Sequence, residues 1–232
     1  PMDETQLAGI VGAYDALIVR SSTQVTRRVL EAAGQLRVVA RAGIGLDNID
    51  LEAATRQGIV VINSPEGNVI SAAEHTMAVL LACARNVVRG DASIRQGQWL
   101  RKDLTGVELS GRTLGILGLG HIGREVARLS QAFWMQVIAH DPFLSPTVAQ
   151  IPGVQLVERD ALLEQSDVVT VHVPLTSSTA KCVGAAEMRK MKKGAILVNC
   201  ARGVVVDEEA LAEALRTGKL AGAAMDVFEK EP

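Results

Sequence analysis

Three glycines in the middle of the sequence have the spacing of a phosphate-binding turn. Gly118, Gly120 and Gly123 form a Gly-x-Gly-x-x-Gly motif, with His121 and Ile122 before the last glycine. Apolar patterns predict a strand leading into the motif and a helix leading out. In such a turn the first glycine permits the tight bend, the second lets a pyrophosphate approach the backbone, and the third lets helix pack on strand. The helix N-terminus adds N–H groups and a partial positive charge, so the motif predicts a dinucleotide site.

An acidic residue stands where the adenosine ribose of a dinucleotide is expected. Asp141 follows Gly123 by 18 residues, close to the usual spacing of about 20. A carboxylate there accepts hydrogen bonds from both ribose hydroxyls and repels a 2′-phosphate, so the sequence favours NAD over NADP as the cofactor. Two alternatives stay open. In the first, the motif is only a structural turn beside a surface aspartate. In the second, His121 is a solvated histidine and does not contact the pyrophosphate.

The segments around the motif alternate between strands and helices. Short β-branched apolar runs, several of them continuous, are typical of strands covered on both faces. Such runs occur at Ala16–Val19, Arg37–Ala40, Val60–Asn63, Thr113–Leu117, Gln136–Ala139, Val168–His172, Ala195–Asn199 and Ala223–Val227. The repetition of strand, helix and strand predicts an α/β fold with a Rossmann-type doubly wound parallel sheet.

Local signals set the expected ends of two helices. Ser71 and Glu74 have the spacing of a capping box, which predicts a helix from Ser71 to about Val87. This helix is apolar nearly all round, so it is expected to be buried or to lie in an interface. Asp207 is the expected N-cap of a later helix, and Gly218 is expected to end it.

A domain boundary is expected between the third predicted strand and the Ser71 helix. Residues 1–66 are predicted to form a small α/β domain. Residues 67–232 are predicted to form the dinucleotide-binding domain together with the Ser71 helix, and residues 93–111 read as a connector ahead of the glycine motif.

The composition narrows the function classes. A net charge of −2 and a pI near 6.1 give no attraction to nucleic acid or anionic membrane, and 3% aromatic residues leave few base-stacking platforms. The longest apolar run, Met77–Ala84, is too short to span a bilayer, and the first residues show no signal peptide. Cys83, Cys182 and Cys200 are far apart and odd in number. That pattern argues against a disulfide framework and a zinc site and favours a cytoplasmic location.

Four stretches carry a resemblance to a known family. They are the turn at Gly118, residues 39–50 (Val-Ala-Arg-Ala-Gly-Ile-Gly-Leu-Asp-Asn-Ile-Asp), residues 199–208 beginning Asn-Cys-Ala-Arg-Gly, and residues 224–232 (Ala-Met-Asp-Val-Phe-Glu-Lys-Glu-Pro). Together they closely resemble the D-isomer-specific 2-hydroxyacid dehydrogenases over almost the whole chain. The resemblance implies an NAD-dependent dehydrogenase of a small D-2-hydroxy acid, with a partial flavodoxin-like substrate domain over residues 1–66. It also implies a homodimer or higher homo-oligomer formed through the Ser71 helix and the segment around Trp99.

Shorter stretches refine the expected substrate. Ile18–Thr23, Pro65–Asn68 and Gly106–Leu109 resemble the members of the family that act on a phosphorylated 2-hydroxy acid. A sibling activity on glyoxylate, hydroxypyruvate or D-lactate stays open. So does a non-catalytic NAD-sensing module, since one fold serves several functions.

The resemblance assigns two catalytic residues. Arg202 matches the family's catalytic arginine, whose guanidinium grips a substrate carboxylate through two parallel hydrogen bonds. Glu231 matches the glutamate that assists the family's base, a histidine. That histidine lies downstream of this glutamate in the family, and His75 and His172 are instead expected to pack in the core. The sequence is therefore expected to be truncated at both ends and to hold NAD better than it can use it.

The resemblance also assigns the remaining binding residues. The substrate contacts are Arg20, Ser21, Gly43, Asn68 and Arg202. The cofactor contacts, besides residues 118–123 and Asp141, are Ile44, Val173, Pro174, Cys200, Ala201, Arg202 and Asp226. Two simpler interpretations stay open: Arg20 is a plain surface cation, and Asp226 makes a structural hydrogen bond. No metal site is expected.

Overall fold

The structure, a computed structural model, describes residues 2–144 and 151–231. They belong to two compact units, Pro1–Val69 and Ile70–Pro232. The strands are β1 (Ala16–Val19), β2 (Val38–Arg41), β3 (Val60–Asn63), β4 (Thr113–Leu117), β5 (Gln136–His140), β6 (Val154–Leu156), β7 (Val168–Val171), β8 (Ala195–Asn199) and β9 (Leu220–Met225). The α-helices are α1 (Glu4–Ile10), α2 (Arg27–Glu31), α3 (Leu51–Arg56), α4 (Val69–Ala84), α5 (Val87–Arg95), α6 (His121–Ala132), α7 (Arg159–Gln165), α8 (Ala185–Lys190) and α9 (Glu208–Arg216).

The first unit is a three-stranded parallel sheet in the order β1-β2-β3. Helices cover one face of it, and their Leu30 and Ala53 pack in one core with Val39 of the central strand. Thr26 and Asp50 cap α2 and α3 by accepting backbone N–H bonds, which fixes where each helix begins. Because the three strands are parallel, the loops that follow them all lie at the same edge of the sheet.

The second unit is a six-stranded, all-parallel sheet in the order β6-β5-β4-β7-β8-β9. Buried residues form an apolar core on each face: Leu80 of α4 and Val126 of α6 on one, Leu162 of α7 and Met188 of α8 on the other. Coverage on both faces is the reason these strands read as continuous apolar runs. The order is that of a doubly wound Rossmann sheet, so the predicted fold class is confirmed, with the switch point between β4 and β7.

Both predicted ends of the Ser71 helix need correction. The helix predicted from Ser71 begins two residues earlier, at Val69, so Ser71 lies inside α4. Asn68 precedes it, and asparagine is a favoured residue at a helix N-terminus. The helix ends at Ala84, because Asn86 adopts a left-handed conformation (φ 55°) and a separate helix, α5, follows.

The other differences concern strands. β6 has only three residues and was not predicted, and the last strand is Leu220–Met225, three residues earlier than predicted at its start. Asp207 does cap α9 by accepting the Ala210 N–H, and Gly218, with φ 69°, follows the helix as predicted. Among the described residues, no helix combines the length and the apolar character needed to cross a membrane.

Candidate functional site

The glycine motif forms the turn between β4 and α6, at the switch point of the six-stranded sheet. Gly118 has φ 91°, and a Cβ atom there would lie 2.8 Å from the carbonyl carbon and oxygen of His172. A Cβ on Gly123 would lie 2.2 Å from the Gly118 oxygen. Backbone packs directly against both positions, so neither tolerates a side chain without a shift of the main chain.

Gly120 differs from its two neighbours because nothing lies within 4 Å of the Cβ it lacks. It is the N-cap of α6 and makes no side-chain capping hydrogen bond. His121 is exposed and Ile122 half-buried in the first turn. An open helix N-terminus beside a residue without a side chain is the arrangement that accepts a pyrophosphate.

Asp141 follows β5, the strand next to β4, and its carboxylate is fixed beside the turn. One oxygen accepts the Leu119 N–H at 2.9 Å, and the other accepts the Phe143 N–H at 3.0 Å. These bonds hold the carboxylate against the backbone of Leu119, the residue between Gly118 and Gly120. The position fits the ribose of a dinucleotide whose pyrophosphate lies on the turn.

On the other side of the switch point, β7 leads into Val173 and Pro174. The Cγ1 atom of Val173 would lie 3.0 Å from a Cβ on Gly118, so this segment lines the turn, and the Pro174 oxygen accepts the Thr179 hydroxyl at 2.6 Å. His172 is largely buried, as predicted, and its Nε2 lies 2.9 Å from the Thr170 Oγ1. Burial lowers the pKa of His172 to about 4, so the imidazole is neutral at physiological pH.

The loop after β8 is shaped by a fully buried asparagine. The Asn199 amide donates to the Arg202 carbonyl at 3.0 Å, and its side-chain oxygen accepts the Ala201 N–H at 3.0 Å. Gly203 then packs directly on the backbone of Phe228. Arg202 is half-buried and donates to the Ala201 carbonyl at 2.7 Å. The loop thus holds Arg202 at the carboxyl edge of the sheet.

His75, Cys200 and Asp226 come together at the same edge. The Nε2 atom of His75 on α4 lies 2.9 Å from an Asp226 carboxylate oxygen, and the Asp226 N–H donates to the Asn199 carbonyl at 3.0 Å. Burial raises the pKa of the Cys200 thiol, against a hydrogen bond with Thr76 that lowers it. The His75 side chain is 48% exposed, so the expectation that it packs in the core is wrong.

In the first unit, the loops assigned to the substrate are tied together by amide side chains. The buried Asn48 donates to the carbonyls of Arg20 and Thr23, at 3.1 and 2.7 Å. Asn63 donates to the Ile44 carbonyl at 2.7 Å. These bonds fix the loops after β1 and β2. Arg20 is itself exposed.

Arg41 is a residue of this region that the sequence analysis did not single out. It ends β2 and is only 7% exposed, and its guanidinium donates to the Ser21 hydroxyl at 3.1 Å. A Cβ on Gly43 would lie 2.9 Å from the same guanidinium, so Gly43 makes room for it. A charged residue at the end of an apolar strand was the signal that could have found it.

The last two residues that the resemblance assigned, Asn68 and Glu231, are both exposed. Asn68 is exposed and directly precedes α4. Glu231 is also exposed. It follows closely after Glu229, whose N–H donates to a Glu208 carboxylate oxygen.

Comparison with known proteins provides an independent line of evidence. Residues 77–232 match the family model described as D-isomer specific 2-hydroxyacid dehydrogenase, NAD binding domain. A D-3-phosphoglycerate dehydrogenase of Archaeoglobus fulgidus is 51% identical over 231 residues, which is 100% of this chain and 44% of that protein. The chain therefore spans less than half the length of this curated relative.

Two solved structures extend the comparison. The TT0316 protein of Thermus thermophilus matches with a TM-score of 0.92 at 39% identity, over 100% of this chain and 74% of the other. A D-lactate dehydrogenase of Aquifex aeolicus, complexed with NAD and lactic acid, matches with a TM-score of 0.89 at 31% identity, over 96% and 67%. The fold class and the NAD prediction are confirmed. The chain belongs to the D-isomer-specific 2-hydroxyacid dehydrogenases and contains the NAD-binding domain of that family.

Proposed function

We propose that the protein oxidises 3-phospho-D-glycerate to 3-phosphohydroxypyruvate with NAD, the step that starts phosphorylated serine synthesis. The identity of 51% to a D-3-phosphoglycerate dehydrogenase over the whole chain supports this substrate. The observation that carries the proposal is the buried guanidinium of Arg41 against Ser21 and Gly43. A forked cation beside a hydroxyl at a loop edge suits a phosphate.

In the proposed reaction, the C2–H bond of the substrate breaks with its electron pair and the C2 hydroxyl loses its proton. NAD, when bound, accepts the hydride. Arg202 holds the substrate carboxylate and so orients C2. Glu231 orients the imidazole that takes the hydroxyl proton and stabilises its charged form. These roles rest on the resemblance, and the fixed Arg202 loop supports the first.

The cofactor contacts are proposed along the carboxyl edge of the second unit. The pyrophosphate lies on residues 118–123, and the adenosine ribose lies on Asp141 and beside Val173 and Pro174. Residues 200–202 and Asp226 contact the nicotinamide. These segments follow β4, β5, β7, β8 and β9, which lie side by side in the sheet. In the first unit, Ile44 adds a cofactor contact, and Gly43 and Asn68 contact the substrate.

A sibling activity on an unphosphorylated acid is the second candidate, because the similar Aquifex enzyme is a D-lactate dehydrogenase. The two candidates make different demands on the basic residues of the first unit. We expect Arg20→Ala and Arg41→Lys to raise KM about 10- to 100-fold for the phosphorylated acid, since a hydrogen bond to a charged group contributes about 1.5–3 kcal/mol. KM for an unphosphorylated acid should change little.

The measurement is steady-state NADH formation by the protein in its natural full-length form. Arg37→Ala is the matched control, since Arg37 is exposed just before β2, at the opposite edge of the sheet. No NADH formation from 3-phospho-D-glycerate would refute the proposed activity. Equal effects of the arginine variants on both acids would contradict the proposed contact between these arginines and a substrate phosphate.

A further inference from the structure

Three side chains of different ligand types meet at the carboxyl edge of the second unit. His75 comes from α4, Cys200 follows β8, and Asp226 follows β9. One ligand atom from each, an imidazole nitrogen, a sulfur and a carboxylate oxygen, lies within 4.8 Å of the other two. Within the described residues, no other such group of histidine, cysteine and acidic ligands occurs.

The backbone around the cluster is fixed, while its ligand atoms have room to move. Asn199, which is fully buried, ties the Cys200 loop together and accepts the Asp226 N–H. Thr76, also buried, follows His75 on α4 and makes a hydrogen bond with the Cys200 side chain. The side chains of His75 and Asp226 are 48% and 46% exposed. Small side-chain rotations are therefore enough to change the distances between the ligand atoms.

The spacing is close to what a tetrahedral zinc site requires. Zinc bonds of about 2.0 Å to nitrogen and oxygen and about 2.3 Å to sulfur place the ligand atoms of a site with one sulfur about 3.3–3.5 Å apart. The contact between His75 and Asp226, at 2.9 Å, needs to open by a few tenths of an ångström. The distances to the Cys200 sulfur, which are within 4.8 Å, need to close by up to about 1.3 Å. The exposed side of the cluster leaves a fourth position for water.

We propose that His75, Cys200 and Asp226 form a binding site for Zn²⁺, with three protein ligands and one open position. A thiolate, an imidazole and a carboxylate together favour this borderline-soft cation over Mg²⁺ or Ca²⁺, which prefer oxygen ligands only. The proposal departs from the sequence-based expectation of no metal site. That expectation rested on the spacing of the three cysteines. The proposed ligands are instead a histidine, a cysteine and an aspartate from three separated segments.

The site has a consequence for the cofactor, and this part rests on the proposed function. Cys200 and Asp226 are also the proposed contacts of the nicotinamide. A zinc ion on them and the nicotinamide therefore exclude each other. The adenosine half of the cofactor, on the Gly118 turn and Asp141, is unaffected. Zinc then acts as an inhibitor that competes with the nicotinamide end of NAD.

The metal site is tested with the metal alone, on the 232-residue chain. Zn²⁺ binding is measured by calorimetry, and Co²⁺ binding by the absorption band that a cobalt–thiolate bond produces. We expect one equivalent of metal. Cys200→Ser should abolish the cobalt band, and His75→Gln and Asp226→Asn should weaken Zn²⁺ binding at least tenfold, since losing a residue that merely orients a ligand already costs about 10- to 100-fold in metal affinity. Circular dichroism reports whether each variant folds.

Two controls keep the test sharp. Cys182→Ser removes another half-buried thiol, and Glu74→Gln changes the charge next to His75 on the same helix. Both should bind metal as the parent chain does. A cobalt band that survives Cys200→Ser, or one that Cys182→Ser abolishes, would overturn the site.

The competition is tested by titrating NAD and ADP-ribose with and without saturating Zn²⁺. Zinc should lower the affinity for NAD to that for ADP-ribose, which lacks nicotinamide, and leave the affinity for ADP-ribose unchanged. Equal NAD affinity with and without zinc would overturn the competition. NAD binding in the absence of metal tests the proposed cofactor site separately, so the two failures are distinguishable.

Discussion

At the scale of single residues, the Asp141 carboxylate carries the proposed preference for NAD. Its two oxygens accept backbone N–H bonds from Leu119 and Phe143, so the charge is held in one place beside the glycine turn. A fixed carboxylate has no reorganisation to make when ribose hydroxyls arrive, and it opposes a 2′-phosphate by charge repulsion. The same bonds also stiffen the turn.

The substitution Asp141→Asn keeps the size of the side chain and removes its charge. We expect the Kd for NAD to rise about tenfold, because a hydrogen bond to a charged acceptor contributes about 1.5 kcal/mol or more. The preference for NAD over NADP should fall as well. Calorimetric titration with both nucleotides measures this. Asp160→Asn, which affects an exposed aspartate paired with Lys190, should leave both affinities unchanged. An unaltered NAD/NADP ratio in Asp141→Asn would contradict this role.

The sequence identified functional residues that lie close together along the chain. It missed residues whose contacts form only when the chain folds. Gly118, Gly123 and Asp141 were identifiable because a turn and the next strand end bring them together over a short stretch. Arg41 and His75 were not identified as functional candidates. Their partners Ser21 and Asp226 lie 20 and 151 residues away in sequence, so only the folded chain shows the contact.

At the scale of elements, the end of β7 combines packing with a buried titratable group. His172 follows the strand directly, its carbonyl lies against Gly118, and its N–H donates to the Leu117 carbonyl at 2.7 Å. Because burial lowers the pKa of its imidazole from 6.5 to about 4, the folded chain holds this group neutral over a range in which the unfolded chain protonates it.

This difference predicts how stability depends on pH. The unfolded state binds more protons between pH 6.5 and about 4, so the contribution of His172 is complete above pH 6.5 and is lost as pH falls toward 4. The loss amounts to as much as about 3 kcal/mol, at about 1.4 kcal/mol per pKa unit. Urea unfolding at several pH values should show a flatter profile for His172→Asn than for the parent chain. His121→Asn, at an exposed position, should keep the parent slope. Parallel profiles for all three proteins would count against this account.

Elements with strong periodic patterns were predictable, and those set by tertiary contacts were not. The strands from Thr113, Gln136, Val168 and Ala195 begin as predicted, since both faces of each are buried. β6 is an edge strand of three residues with no clear pattern. The break at Asn86 depends on a left-handed residue inside an apolar stretch. The capping-box pattern predicted that the helix begins at Ser71, but Ser71 lies inside α4.

At the scale of the whole molecule, exposed apolar residues of the second unit point to self-association. Val88, Ile94 and Trp99 are 70%, 55% and 77% exposed, and they lie on or just after α5. Grouped apolar residues on a surface mark an interaction site more often than scattered ones do. We propose that this segment, with α4, forms the contact of a homodimer.

Charged substitutions test the contact without disturbing the core. Val88→Lys combined with Ile94→Lys should convert a dimer to a monomer, as measured by light scattering coupled to gel filtration, with an unchanged circular dichroism spectrum. Trp134→Lys is the control, because Trp134 is 78% exposed at a position outside this segment. A parent chain that stays monomeric at every concentration, or a monomer produced equally by Trp134→Lys, would refute the proposed contact.

The central claim is that the open position at Gly120 receives the pyrophosphate of NAD, and one substitution tests it directly. Gly120→Ala adds a methyl group where no protein atom lies within 4 Å, so the free energy of unfolding should change by less than about 1 kcal/mol, the usual scale of an N-cap change. The Kd for NAD, measured by calorimetry, should nevertheless rise about 10- to 100-fold, because the methyl group occupies the place of the phosphates. Gly34→Ala, where nothing lies within 4 Å either, should leave both quantities unchanged. An unchanged NAD affinity in a folded Gly120→Ala chain would contradict the account.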